Sequence, residues 1–92
     1  MSRRQIAEAY LGRIGEEALF ADGFDEAIIG VGNQQSRGSV VVYDWDKCVE
    51  ILMERGATWE EAVEHMDYNV TGAWMGEQTP MFAQRVERME ER

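Results

Sequence analysis

Cysteine is almost absent from this chain, and Cys48 is the only one in its 92 residues. A single cysteine excludes an internal disulfide and is typical of a protein that works in the reducing cytoplasm. Long apolar runs are also missing, and none approaches the roughly 20 residues that a membrane-spanning helix needs. Because charged residues stand where a signal peptide requires an apolar block, we do not expect secretion.

Basic residues are scarce, since nine Lys and Arg stand against eighteen Asp and Glu and give a formal charge of −9. Direct binding of nucleic acid requires a basic face, so we do not expect it here. An acidic domain suits binding to the basic surface of a partner protein. It can also compete with nucleic acid for such a surface. Acidic charge also serves solubility alone, and composition does not separate these two roles.

Catalytic motifs and sets of metal ligands are absent from the sequence. Cys48 and His65 are the only soft ligands besides methionine, whereas a structural zinc site needs four. Asp44 is predicted to cap a helix, and Asp46 with Glu50 to lie on a solvated face, so a hard-cation site is not expected. Cys48 falls on an apolar helix stripe, where cysteine usually behaves as a small hydrophobic residue. We predict neither an enzyme nor a cofactor.

The chain begins with the signals of a helix. Ser2 and Gln5 match a capping box, and Gly23 is a suitable end because glycine tolerates the left-handed conformation found there. Gly12 and Gly15 are interpreted as close packing positions within this helix. Apolar residues at spacings of three and four predict its buried stripe, which comprises Ile6, Tyr10, Ile14 and Ala18, with Ala7 and Leu11 alongside.

Two β-branched runs follow and predict a β-hairpin. The strands are expected over Ala27–Val31 and Ser39–Tyr43, joined by the loop Gly32–Gly38. A hairpin on its own is marginally stable, so pairing of its edges between subunits and the thin core of a short chain both favour a homo-oligomer.

Two capped helices come next, separated by Gly56. Asp44 is the predicted cap of the first, and Thr58 with Glu61 forms a capping box for the second. The predicted buried positions are Trp45, Cys48, Val49 and Leu52 in the first helix and Trp59, Ala62, Val63, Met66 and Val70 in the second.

An irregular segment, Ala73–Pro80, leads to the predicted start of a short terminal helix at Thr79–Pro80, with Phe82, Val86 and Met89 on one face. The whole chain, residues 1–92, is therefore predicted to be one small α+β domain: an N-terminal helix, a β-hairpin, two packed helices, an irregular segment and a short C-terminal helix.

The second half of the chain resembles a group of short uncharacterised proteins of tailed phages. The shared pattern is Tyr-Asp-x-x-x-Cys, Glu-Glu-Ala, Asn-x-x-Gly-Ala and Gly-Glu-x-Thr-Pro-x-Phe. The matching residues are Tyr43, Asp44, Cys48, Glu60, Glu61, Ala62, Asn69, Gly72, Ala73, Gly76, Glu77, Thr79, Pro80 and Phe82. The resemblance implies a phage protein acting in the host cytoplasm and carries no known activity.

Two functions fit these observations. The first is a non-enzymatic binding protein that engages and inhibits a host protein with a basic surface, in one form as a nucleic-acid mimic that evades host defence. Its acidic side chains are expected to speed the encounter, and an aromatic residue in the irregular segment to provide affinity. The predicted partner-binding residues are Glu50, Glu54, Glu60, Glu64, Asp67 and Trp74.

The second function is an oligomeric binder that sequesters a small anionic nucleotide. Glycines at the hairpin and the polar segment that leaves the second helix predict its pocket, although the acidic surroundings oppose an anion. The predicted ligand-binding residues are Gly30, Gly32, Arg37, Asn69 and Thr79. No interaction with membranes is expected in either case.

Overall fold

The computed structural model describes residues 1–34, 37–70 and 75–89, and at residues 69 and 70 it describes the backbone alone. The helices are α1 (Arg3–Ile14), α2 (Trp45–Glu54), α3 (Trp59–His65) and α4 (Val86–Met89). The strands are β1 (Ile28–Gln34), β2 (Gly38–Asp44) and β3 (Met81–Ala83). A 3-10 turn at Asp25–Ala27 precedes β1, and a π-helical turn at Met66–Val70 continues α3. The predicted α+β class and the order of its elements are confirmed.

The described strands form one sheet in the order β1-β2-β3. β1 and β2 are antiparallel, and their register pairs Ile28 with Tyr43 and Gln34 with Gly38. The predicted loop Gly32–Gly38 is therefore too long, because β1 continues to Gln34. Alternating side chains of β2 pack against the helices, so the β-branched residues of this central strand explain both its extended form and its burial.

A third strand lies where the sequence predicts the start of a helix. β3 runs parallel to β2 and pairs Val42 with Met81 and Asp44 with Ala83. Thr79 does not cap a helix: its hydroxyl donates to the carbonyl of Gly76 at 2.6 Å and accepts from the backbone N–H of Met75 at 2.7 Å. Thr79 thereby closes a turn that delivers the chain to the edge of β2.

Helix α1 is shorter than predicted. It ends at Ile14, and Gly15 follows in the left-handed conformation with φ 72°, so Gly15 is a helix end and not a packing position. The predicted stripe is buried only in part: Ala7 and Leu11 are buried, as predicted, whereas Ile6 and Ile14 are 55% and 43% exposed. The short helix contacts β1 and the Asp25–Ala27 turn along one line of residues four apart, which leaves its other apolar side chains exposed.

The core lies between the sheet and the two helices that follow β2. Val41, Tyr43, Cys48 and Met66 are its largest fully buried side chains. The Tyr43 hydroxyl accepts a hydrogen bond from the backbone N–H of Ala21 at 2.8 Å, which ties the segment after α1 to the core. Tyr43 therefore joins an otherwise irregular connection to the central strand.

The predicted caps of α2 and α3 are both present. Asp44 accepts from the backbone N–H of Lys47 at 3.2 Å. Thr58 and Glu61 form the reciprocal capping box, with distances of 3.2 and 2.8 Å. Burial of Trp45, with 6% exposure, is also confirmed. No helix in the described ranges is long and apolar enough to cross a membrane.

Candidate functional site

The acidic side chains predicted to bind a partner lie on the outer sides of α2 and α3. Residues four apart share a helix face, so Glu50 and Glu54 are neighbours on α2, and Glu60 and Glu64 are neighbours on α3. Asp67 follows in the π-helical turn. All five residues are exposed, and we call them together the acidic surface.

Nearby arginine does not neutralise this surface. The Nη2 atom of Arg55 donates to the carbonyl of Gly23 at 2.6 Å, and its guanidinium lies 5.9 Å from the centre of the Phe24 ring. The sequence contains no further lysine or arginine until Arg85. Lys47 lies in α2 three residues before Glu50. Within the described part of the chain, the four glutamates of the acidic surface form no ion pair with it or with any arginine.

The two arginines after β3 pair with other carboxylates. Arg85 Nε lies 3.4 Å from Asp44 Oδ2, and Arg88 Nη1 lies 3.7 Å from Asp46 Oδ2. The prediction that Asp46 faces solvent is therefore wrong, since its side chain is only 16% exposed. Because β3 pairs with β2, the residues after β3 come alongside the start of α2 and cover this carboxylate.

Trp59 is an exposed aromatic residue beside the acidic surface. It is 55% exposed, so its predicted place in the core is wrong. Trp59 is the first residue of α3, and the connection that precedes it is exposed at Gly56 and Thr58. Trp59 is followed in α3 by Glu60 and Glu61. Helix periodicity alone did not reveal that Trp59 is exposed.

Trp74, the predicted apolar anchor, lies outside the described residues, as does the side chain of Asn69. The structure does place two exposed aromatic residues beside members of the acidic surface: Trp59 precedes Glu60, and Tyr68, which is 76% exposed, follows Asp67.

The residues of the alternative nucleotide site are not brought together. Gly30 and Gly32 lie in β1, and a Cβ at Gly32 would come within 3.1 Å of the Val42 side chain. Arg37 is exposed in the hairpin turn, where its backbone N–H donates to Gln34 at 3.1 Å. Thr79 belongs to the turn before β3, at the other edge of the sheet. The described members of this set therefore form no common cradle.

Cys48 is a packing residue. Its side chain is fully buried, and burial, with a smaller contribution from the negative charge of Asp44, raises the pKa of its thiol to about 12. A thiol that stays protonated is a poor nucleophile, so Cys48 is not an activated partner of His65. Among the described residues, no group of three or more His, Cys, Asp or Glu side chains is placed to hold a metal ion.

A groove between α1 and β1 was not anticipated from the sequence. Its volume is about 360 Å³. Its lining comprises Arg3, Ile6, Ala7, Tyr10 and Arg13 from the helix and residues 28–31 from the strand. The only available signal was the apolar stripe of α1, which was interpreted as buried against the core, whereas half of it lines this open groove.

No protein-family model, curated protein or solved structure matches this chain significantly.

Proposed function

We propose that this chain is a small, acidic, non-enzymatic protein that binds a partner protein through a basic surface of that partner. The acidic surface makes the electrostatic contact, and Trp59 adds an apolar contact beside it. The observation that carries the proposal is that the four glutamates of the acidic surface are exposed and form no ion pair with any described residue, while Arg55, which follows Glu54, is engaged with Gly23 and Phe24.

These two kinds of contact have different physical roles. Charges at the rim of an interface steer the encounter and fix the partner's orientation, and they give binding that weakens with salt. A tryptophan that becomes buried on binding supplies apolar area, and tryptophan is enriched among residues that dominate interface energies. Trp74 remains a second candidate for this role, on the ground of its place between Gly72 and Gly76 in an irregular stretch of sequence.

The partner is proposed to be a host protein in the host cytoplasm. This rests on the resemblance of the second half of the chain to short proteins of tailed phages. A host protein that uses a basic face for nucleic acid would be inhibited by an acidic mimic, which is one way to evade host defence. The scarcity of basic residues supports binding to such a protein and opposes direct binding to nucleic acid.

Charge reversal tests the proposal. Glu60→Lys combined with Glu64→Lys places two positive charges on α3, at exposed positions outside the core. The matched control is Glu17→Lys with Glu77→Lys, which changes the net charge equally at exposed positions outside α2 and α3. Each protein is immobilised, host proteins are captured, and a specifically retained partner is purified for titration.

We expect the α3 variant to lose at least about tenfold in affinity for that partner, equivalent to roughly 1.4 kcal/mol, and the control to stay within about twofold. Equal binding by the wild type and the α3 variant would refute the role of the acidic surface. Equal losses in both variants would assign binding to net charge and not to this surface.

A further inference from the structure

The groove between α1 and β1 runs along an edge of the sheet. Within the described chain, β1 has a neighbouring strand on one side only, because the order is β1-β2-β3. Consecutive residues of a strand point to opposite faces. Since the four consecutive residues 28–31 all line the groove, the groove follows the edge of the strand and does not lie on one face. The backbone groups of an edge strand can pair with an additional strand.

A β-bulge places an extra apolar residue in this groove. The register passes from Ile28 to Gly30, so Ile29 has no partner on β2. Ile29 is 44% exposed, and Ile6 and Tyr10 of α1 face the same groove with 55% and 37% exposure. These three side chains form an apolar patch that the protein itself leaves partly uncovered.

Arginines border the apolar patch. α1 contains three arginines and one glutamate, which contrasts with the formal charge of −9 of the whole chain. Two of these arginines, Arg3 and Arg13, line the groove. They lie ten positions apart along the helix, a rise of about 15 Å at 1.5 Å per residue. That distance matches about four or five residues of an extended chain at roughly 3.3 Å each.

The contacts of both arginines leave N–H groups for a ligand. Arg3 Nη1 donates to the carbonyl of Ile28 at 2.9 Å, which holds its guanidinium at the start of β1. The Arg13 guanidinium lies 5.9 Å from the centre of the Tyr10 ring. A guanidinium has five N–H donors in a planar fork that fits a carboxylate. Both arginines are exposed.

We propose that this groove binds an extended acidic peptide, which adds as a strand to the free edge of β1. Its backbone pairs with the strand, an apolar side chain packs among Ile6, Tyr10 and Ile29, and two carboxylates about four residues apart contact Arg3 and Arg13. Addition of a strand to a sheet edge is an established mode of peptide recognition, in which pockets for side chains provide the specificity. This site takes an acidic ligand, whereas the acidic surface takes a basic one, so the two sites are independent.

The probe is a fluorescein-labelled peptide, Ser-Glu-Val-Thr-Val-Glu-Ser, titrated with the full chain by fluorescence polarisation. Two altered peptides separate the sources of affinity. Lysine in place of both glutamates reverses the charge, and N-methylation of alternate backbone amides removes the donors of one edge. We expect each change to weaken binding at least about tenfold, because the first removes charge pairing with the arginines and the second removes hydrogen bonds of strand addition. Equal binding of the N-methylated peptide would overturn strand addition, and equal binding of the lysine peptide would overturn the role of the arginines.

Matched variants of the protein locate the site. Ile29→Asp changes a groove residue of 44% exposure, and Ile14→Asp changes a residue of 43% exposure that does not line the groove. Arg13→Gln is paired in the same way with Arg37→Gln. We expect the groove variants to weaken peptide binding about tenfold and the controls to stay within about twofold, with unchanged circular dichroism. A similar loss in a groove variant and its control would overturn the location.

Other occupants of the groove lead to different results. If decanoate displaces the peptide completely while N-methylation has no effect, the groove is a site for an aliphatic carboxylate, and the peptide proposal is wrong. If light scattering shows a wild-type dimer that Ile29→Asp dissociates, and no peptide binds, the groove is an interface between copies of this chain. That result also overturns the proposal.

Discussion

The reactivity of Cys48 provides a sensitive test of the core. Burial raises the pKa of this thiol from 9.0 to about 12. At pH 8 roughly 10% of a thiol with the ordinary value is thiolate, against about 0.01% of Cys48, so ionisation alone should slow alkylation about a thousandfold. The side chain has no exposed surface, which slows the reaction further because a reagent must wait for the protein to open.

Iodoacetamide labelling followed by mass spectrometry measures this rate, and the same chain in 6 M guanidinium chloride serves as the reference. We expect native Cys48 to react at least about a thousandfold more slowly than the denatured chain. A native rate within about tenfold of the denatured one would refute the packing of α2 against β2.

The raised pKa of Cys48 also affects stability at alkaline pH. Its folded-state value exceeds the ordinary 9.0, so the stabilisation is fully present below pH 9 and is lost as the pH rises toward about 12. The free energy of unfolding of the wild type should therefore fall more steeply above pH 9 than that of Cys48→Ala. Parallel pH profiles of the two proteins would contradict the burial of the thiol.

Four further predictions concern contacts that hold the fold together. Thr58→Ala removes the acceptor for the N–H of Glu61 and should lower the free energy of unfolding in urea by about 1 kcal/mol, whereas an unchanged midpoint would refute the cap. Bonds from the backbone N–H and the hydroxyl of Thr58 lower the pKa of Glu61 below 4.5, so its stabilisation is present above that pH and is lost in acid. The difference in Tm between the wild type and Glu61→Gln should therefore disappear as the pH falls below 4.5. A difference that persists in acid would contradict the charge effect. Tyr43→Phe leaves the Ala21 N–H without its acceptor and should cost about 1–3 kcal/mol in urea, and no loss would refute this bond. Phe82→Ala removes the ring that stacks on Tyr43 at 5.2 Å and should cost about 2 kcal/mol, less than for a fully buried phenylalanine, and a neutral result would refute the anchoring of β3.

Features that depend on residues close in sequence were predicted well. The capping interactions of Ser2, Asp44 and Thr58 each join residues three positions apart, so residue type and spacing were enough to locate them. The start of α1, α2 and α3 follows from these caps. The α+β class follows in turn, because β-branched runs lie between the capped segments.

Burial at helix ends was not predictable from periodicity. Trp45 and Trp59 each stand at the first position of a helix on its inward side, yet they are 6% and 55% exposed. Trp45 directly follows the central strand β2 and belongs to the core cluster. Trp59 follows a connection that is exposed at Gly56 and Thr58, and more than half of its surface stays uncovered. Periodicity gives the direction of a side chain, whereas its depth depends on what lies beyond the end of the helix.

Pairing between distant segments was likewise missed. β3 has three residues and pairs with β2, from which the whole α2–α3 region separates it in the sequence. A strand this short carries no periodic signal, and its position depends on the stacking of Phe82 on Tyr43. Proline at position 80 was interpreted as the first residue of a helix, while it serves equally well as the residue that enters a strand.

The acidic surface and the groove, the two proposed binding surfaces, differ in how far the sequence predicts them. Exposure of Glu60 and Glu64 follows from four-residue spacing within one helix, so their place on the acidic surface was predicted. The groove combines Tyr10 with Ile29, which belong to different elements, so no local pattern of residues indicates it. Sequence alone does not show which side of a short helix the rest of the chain will cover.

The most direct test of the acidic surface is the salt dependence of its affinity for the purified partner. The dissociation constants of the wild type and of the Glu60→Lys, Glu64→Lys variant are measured by titration calorimetry at 50 and 300 mM NaCl. If the acidic surface binds a basic partner, the wild type should weaken at least about tenfold between these concentrations, and the variant should bind weakly with much less dependence on salt. Equal affinities and equal salt dependence in the two proteins would contradict the proposed function.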